Sequence, residues 1–283
     1  MSIVVVTDSS ARLPAAVYEA YGIRQVPLHV INGDLNLREG VDEVPADLLT
    51  DPTTTTSGPS PAELAEVYGD ALDASDGDGV IAVHMSRRLS GTWASARMAA
   101  DELGGKVRVV DSRSVGMAVG FAAVAAAKAA AEGADRDRAY EAAIRASATS
   151  DSLICVQTLD QLRRSGRISA ATRLFGTALS IRPVLAVVDG SLVVRDKQRT
   201  FGKATAKMVN ATVDAVAARP TVVGVLHSGA PDAADAVADE LGRRLGSVTS
   251  LLINDIGPVL TSHVGTGAVG VVVCPQMSAI TGV

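Results

Sequence analysis

Apolar positions along the first half of the chain come in short, nearly unbroken runs that alternate with longer amphipathic or Ala-rich stretches. Residues 3–6, 24–31, 79–85 and 106–110 read as strands, and near-continuous apolar strands imply a sheet buried on both faces. Between them, Pro14 opens a helix that Gly22 terminates, and Pro61 at the first helical position begins another that runs to about residue 74. Ser60 and Glu63 have the spacing of a capping box for that second helix. A helix over 90–103 stops at Gly104-Gly105, and two Ala-rich helices follow, separated by Gly133. Strands alternating with helices predict a parallel sheet in a three-layer α/β/α arrangement.

The second half changes pattern. Residues 184–188 and 192–194 flank Asp189-Gly190-Ser191, a hairpin signal in which Asp-Gly suits a two-residue turn. Helices over 201–218 and 231–245 alternate with strands over 221–226 and 248–253, and 267–273 supplies a last strand. A hairpin inside an α/β pattern predicts a mixed sheet. The expected architecture is therefore two α/β domains, 1–150 with a parallel sheet and 151–283 with a mixed one.

Composition narrows the function classes. With 283 residues, 47% hydrophobic and 20% charged, the chain has ample material for a core and no signature of global disorder. The net charge of −5, no basic runs and 3% aromatics argue against nucleic-acid binding. The longest apolar stretch, residues 115–127, is too short to cross a bilayer, and the N-terminal run of four is too short for a signal peptide. Cys155 and Cys274 are distant and set among apolar residues, so a cytoplasmic protein without a disulfide framework is expected.

The candidate chemistry lies where strands end in hydroxyl-rich segments: 7–10, 85–93 and 111–115, with the Thr/Ser/Pro loop 53–61 beside them. In a parallel α/β sheet the crevice beyond the carboxyl ends of the strands is the usual ligand site. Hydroxyls and backbone N–H groups at helix starts suit an anion, although capping alone accounts for any one of Ser60, Ser90 and Ser114. His29 and His84 fall within strand patterns and read as satisfied sheet residues. His263 lies in the Gly-rich segment 254–270, expected as a loop, where it can reach a polar pocket. No histidine or cysteine spacing fits a metal site, so no metal and no cofactor is expected. Gly265, Gly267 and Gly270 match a dinucleotide fingerprint in letters, yet too little chain follows for the unit it requires.

Six segments in order, VTDSSARLP (6–14), TTSGPSPAE (55–63), LSGTWASA (89–96), VVDSRSVGM (109–117), LRRSGRIS (162–169) and IGPVLTSHVGTGAVGV (256–271), resemble the DegV family of bacterial fatty-acid-binding proteins. The resemblance covers essentially the whole chain. It implies a protein with no catalysis of its own that holds one long-chain fatty acid between two domains. A separate ATP-dependent fatty acid kinase subunit would convert the presented carboxylate to an acyl phosphate, and transient membrane contact is compatible with such a carrier. Carried over residue by residue, Thr56, Ser90 and His263 would hold the carboxylate, with Ser57, Gly91 and Ser114 as secondary contributors. Arg167, within Gly166-Arg167-Ile168, would meet the kinase or the nascent phosphate, and Arg163 and Arg164 beside it would extend a docking surface. The chain departs from the family pattern at Gly58 for glutamine, Trp93 for tyrosine, Ser262 for threonine and Thr266 for proline.

Two other readings compete. One is an enzyme: a hydrolase using Ser90 and His263, or a kinase of a small hydroxy ketone resembling the dihydroxyacetone kinases. The other is a regulatory module holding a different amphipathic acid.

Overall fold

The computed structural model describes residues 3–168, 181–216 and 218–282. Ser169 of the 162–169 segment and Ala217 of the predicted helix 201–218 lie outside the described residues. The chain begins with β1 (Val4–Asp8), α1 (Ala15–Tyr21) and β2 (Arg24–Val26). A small antiparallel unit follows, made of β3 (His29–Asn32), β4 (Leu35–Arg38) and β5 (Thr55–Ser57). Then come α2 (Pro61–Ala74), β6 (Val80–His84), α3 (Thr92–Glu102), β7 (Val107–Asp111), α4 (Met117–Ala131) and α5 (Arg136–Thr149).

Strands β2-β1-β6-β7 form the expected all-parallel sheet. Their side chains alternate between two layers, as the period of two along a strand requires. Val6, Val80, Ala82 and Val109 pack on Leu64 and Tyr68 of α2 and on Ala96 and Ala99 of α3. Val5, Ile81, Val83 and Val110 face the opposite way, toward α4 and α5. Local signals explain the boundaries. Gly22 closes α1 in the left-handed conformation at φ 59°, and Ser60 and Glu63 make the reciprocal capping box at the start of α2.

The remainder of the chain supplies β8 (Asp151–Cys155), α6 (Asp160–Ser165), β9 (Arg182–Val188), β10 (Ser191–Gln198) and α7 (Phe201–Val216). It continues through β11 (Thr221–His227), α8 (Pro231–Arg244), β12 (Val248–Asp255), α9 (Gly257–Val264) and β13 (Val269–Pro275). The six-stranded sheet has the order β10-β9-β8-β13-β11-β12, with β11 and β12 parallel and the other neighbours antiparallel, the mixed sheet that was expected. Asp189 and Gly190 both take positive φ, 50° and 79°, as a primed hairpin turn demands. Helices α7 and α8 cover the outer face through Met208, Val209, Val237 and Leu241.

The inner face of this sheet meets α4, which lies between the two sheets. Eleven of its 15 residues are buried, so it is apolar all round rather than striped. Two glycines permit the close approach. A Cβ on Gly120 would lie 2.5 Å from Leu13 Cγ and 2.8 Å from Ala11 O, and one on Gly224 would lie 2.5 Å from Met117 Sδ. One apolar core therefore runs from Val5 and Ile81 of the first sheet through Met117 and Phe121 to Leu185 and Val272 of the second.

Two expectations are corrected. The strand predicted over 24–31 is two strands in different sheets: Pro27, which lacks an N–H to donate, separates β2 from β3. The segment 254–270, expected as a loop, contains helix α9, with Pro258 in its first turn and His263 in its last.

Candidate functional site

A cavity of about 270 Å³ lies between the two halves of the chain. Its wall is mostly carbon. Ile154, Val187, Leu192, Leu226 and Val272 come from the inner face of the six-stranded sheet, Met85 and Leu89 from the segment after β6, and Leu28 from the turn before β3. Helix α9 and its N-cap residue contribute Ile256, Val259, Leu260, His263 and Val264, the 3.6-residue spacing of one face. Gly270 sits on the wall where β13 runs beside β8, and a Cβ added there would lie 3.2 Å from Leu153 O and 3.5 Å from Ile154 Cβ.

Polar side chains gather where loops from both halves meet. In β5, Thr56 is the residue turned inward, while Thr55 and Ser57 are exposed on either side. Its Oγ1 lies 2.7 Å from Nε2 of His263. Ser90 also lines the cavity, its Oγ accepting from Thr92 N–H at 3.2 Å and pairing with Thr92 Oγ1 at 2.8 Å. Gly58 packs so closely on the start of α3 that an added Cβ would lie 2.5 Å from Thr92 Oγ1, which brings the Thr56 loop against the Ser90 loop.

Arg167 faces the same space. Gly166 ends α6 in the left-handed conformation at φ 74°, and the reversal is closed by hydrogen bonds from Gly166 N–H to Arg163 O and from Arg167 N–H to Leu162 O. The guanidinium then donates to Leu89 O at 3.3 Å and to Ser165 O at 2.6 Å. Burial, helped by the nearby Arg167 charge, holds the His263 imidazole down at about 4. His263 is thus neutral at pH 7, and its Nδ1 is buried without a hydrogen-bond partner among the described residues. A polar atom left in that state calls for an explanation.

A sequence profile of the DegV family, described as "Uncharacterised protein, DegV family", matches residues 2–276. The chain belongs to the DegV family. A DegV domain-containing protein of Mycobacterium tuberculosis is 49% identical over 273 residues, which is 96% of this chain and 97% of that one. A DegV family protein from Corynebacterium glutamicum has a similar crystal structure, with TM-score 0.86, 36% identity, and coverage of 99% of this chain and 100% of that chain. A DegV family protein from Thermus thermophilus, whose structure is described in terms of fatty acid binding, has TM-score 0.91 at 32% identity, covering 98% and 100% of the two chains.

Of the residues singled out from the DegV resemblance, Thr56, Ser57, Ser90, Gly91, Arg167 and His263 all line this one cavity. Ser114 does not; it stands behind Ser152, which does, with the two hydroxyls 3.4 Å apart. Nor does Ser114 cap α4, whose cap position is Gly116. The 7–10 segment turns inward on itself: Asp8 accepts from Ser10 and Met85 N–H, and its other contact is His84 at 3.0 Å. Burial pushes the Asp8 carboxyl up, but His84, Ser10 and the Met85 N–H outweigh it and hold the group below the usual carboxylate range. His84 also pairs with Tyr68 at 2.6 Å and is a satisfied sheet histidine, whereas His29 pairs through Nδ1 with Asn36 at 2.7 Å and its buried Nε2 lies 3.1 Å from Glu63 Oε1 without the geometry of a hydrogen bond.

The hydrolase geometry is not met. His263 Nε2 is engaged by Thr56 rather than Ser90, and no carboxylate among the described residues orients its other nitrogen. Sequence reasoning did not identify the residues of the carbon wall supplied by β8 and α9, whereas Arg167, expected to meet the kinase or the nascent phosphate, lines the same cavity as His263. The left-handed signal of Gly166 before Arg167 was the one available hint of that reversal.

Proposed function

We propose that this chain binds one long-chain fatty acid in the cavity and presents its carboxylate to a separate ATP-dependent kinase that makes the acyl phosphate. The observation that carries the reading is the composition of the cavity: carbon walls, with Thr56, Ser90, His263 and Arg167 together at one region and exposed Ser57 and Gly91 beside them. A carboxylate buried without partners is costly, and two hydroxyls, an imidazole and a nearby guanidinium offset that cost. With the acid bound, Thr56 and Ser90 donate hydroxyl protons to it, and the negative charge favours protonation of His263. Burying ~15 methylenes at ~0.8 kcal/mol each gives ~12 kcal/mol gross, so the tail supplies most of the affinity and the head group sets its orientation. The fatty acid binding described for the Thermus thermophilus protein supports the ligand class. In this proposal residues 1–150 form one unit that supplies Thr56 and Ser90, and residues 151–283 form a second that supplies Arg167 and His263. Loading at a membrane surface belongs to the same proposal.

Denaturing extraction of the purified protein followed by mass spectrometry tests the ligand: one C14–C18 acid per chain is expected. Thr56→Val with Ser90→Ala removes two hydrogen bonds to a charged group, at about 1.5–3 kcal/mol each, and should lower acid affinity more than roughly tenfold. Unchanged lipid occupancy in the double variant would refute the head-group assignment. The presentation step is tested by hydroxylamine trapping: loaded protein with ATP alone should yield no acyl hydroxamate, and adding an ATP-binding fatty acid kinase subunit should yield it.

A further inference from the structure

The helix that carries His263 is held near its start by a buried acid outside the cavity. Glu39 follows β4 and is 2% exposed. Its Oε2 accepts from Ser9 Oγ at 2.5 Å, and its Oε1 accepts from Val259 N–H in the first turn of α9 at 3.1 Å. The Arg12 guanidinium lies 3.9 Å from the same Oε1. The backbone completes the tie, because Leu28 N–H donates to Ser9 Oγ at 3.0 Å and Glu39 N–H donates to Leu28 O at 2.8 Å. One carboxylate thereby joins the segment after β1, the residue before β3 and the start of α9.

Burial pushes the Glu39 carboxyl up, opposed by Arg12, Ser9 and the Val259 N–H, so the group is costly to keep at this place. An apolar side chain would avoid that cost, but it would leave the Val259 N–H and the Ser9 hydroxyl without an acceptor. From Val259 to His263 is about one helical turn, roughly 6 Å along the axis. An axial slip of α9 would carry His263 away from Thr56 by a similar displacement, and a hydrogen bond of 2.7 Å has little tolerance for it.

We infer that Glu39 is a positioning residue: it fixes α9 against Ser9 and Leu28, and so sets His263 opposite Thr56, where an acid is distinguished from an uncharged lipid of equal length. The inference rests on the proposed head-group site. The test compares wild type, Glu39→Ala and Glu39→Gln for affinity toward a C16 acid and a C16 alcohol, by displacement of a fluorescent lipid. Glu39→Ala should lower the acid-over-alcohol ratio by about fivefold or more, with alcohol affinity changed less than about twofold. Glu39→Gln keeps an oxygen for the Val259 N–H and should recover most of the ratio. The His263 imidazole resonances should shift in the alanine variant and return in the glutamine variant. If Glu39→Ala does not fold, Glu39→Asp, one methylene short of Val259 N–H, is read in the same way. An unchanged ratio, or a parallel loss for both ligands, overturns the inference. A wild-type protein with no preference for the acid overturns the fatty-acid reading instead.

Discussion

His263 shows how one residue ties chemistry to stability. Its imidazole titrates near 6.5 in an unfolded chain and about 4 in the folded one, because burial and then Arg167 disfavour the cation. Above pH 6.5 both states are neutral and the group adds no pH dependence. As pH falls from 6.5 toward 4, the unfolded chain takes up the proton first, and stability is lost by up to roughly 3 kcal/mol. His263→Gln should therefore flatten the fall in urea-unfolding free energy of lipid-free protein across that window, relative to wild type. Equal slopes for the two proteins would mean that His263 is not held neutral. Thr56, Ser90 and His263 could be singled out in the sequence because each lies in a segment that resembles a DegV motif, and all three line the one cavity. Glu39 could not. It is one of 31 acidic residues, and only the folded chain brings Ser9, Leu28 and Val259 around it.

Elements whose boundaries are set by local physics were legible in the sequence, and those set by distant partners were not. The helix read from Pro61 to residue 74 is α2, since the capping box and the proline are within its own first turn. The small sheet β3–β4–β5 was missed because β4 is mostly exposed and β5 has three residues, so neither carries a hydrophobic pattern. Helix α4 was recognisable as Ala-rich and buried, but an all-round apolar surface does not say what it packs against. Two layers compress it, at Gly120 against Leu13 on one side and at Met117 against Gly224 on the other. Gly120→Ala forces a Cβ to within 2.5 Å of Leu13 Cγ and 2.8 Å of the Ala11 carbonyl, where backbone cannot easily yield. The gain in helix propensity is under about 1 kcal/mol, and overpacking costs about 1–3 kcal/mol. The net expectation is a lower midpoint in urea with an unchanged slope. A variant as stable as wild type would show that α1 and the segment before it move away freely.

At the scale of the whole molecule, alternating strands and helices gave the two kinds of sheet, but nothing in the pattern indicated that they share a layer. That layer decides how the protein would respond to the proposed fatty acid. Residues of the first sheet, α4 and the inner face of the second sheet belong to one apolar core, and the cavity wall draws on the same residues, among them Met85, Leu192, Leu226 and Val272. Unfolding either sheet would strip α4 on one side and expose its all-apolar surface to water, at about 25 cal/mol per Å². The two sheets should therefore unfold together. Trp93, the single tryptophan, lies in α3 on the far side of the first sheet from α4 and reports on that half alone, whereas far-UV circular dichroism reports on all elements. Midpoints from the two signals should coincide in lipid-free protein. Adding a C16 acid should raise both by the same amount, worth about 2.7 kcal/mol at a hundredfold excess over Kd. An earlier Trp93 transition that the acid does not move would mean that the first sheet opens without disturbing the cavity, and the coupling through α4 would then have to be abandoned.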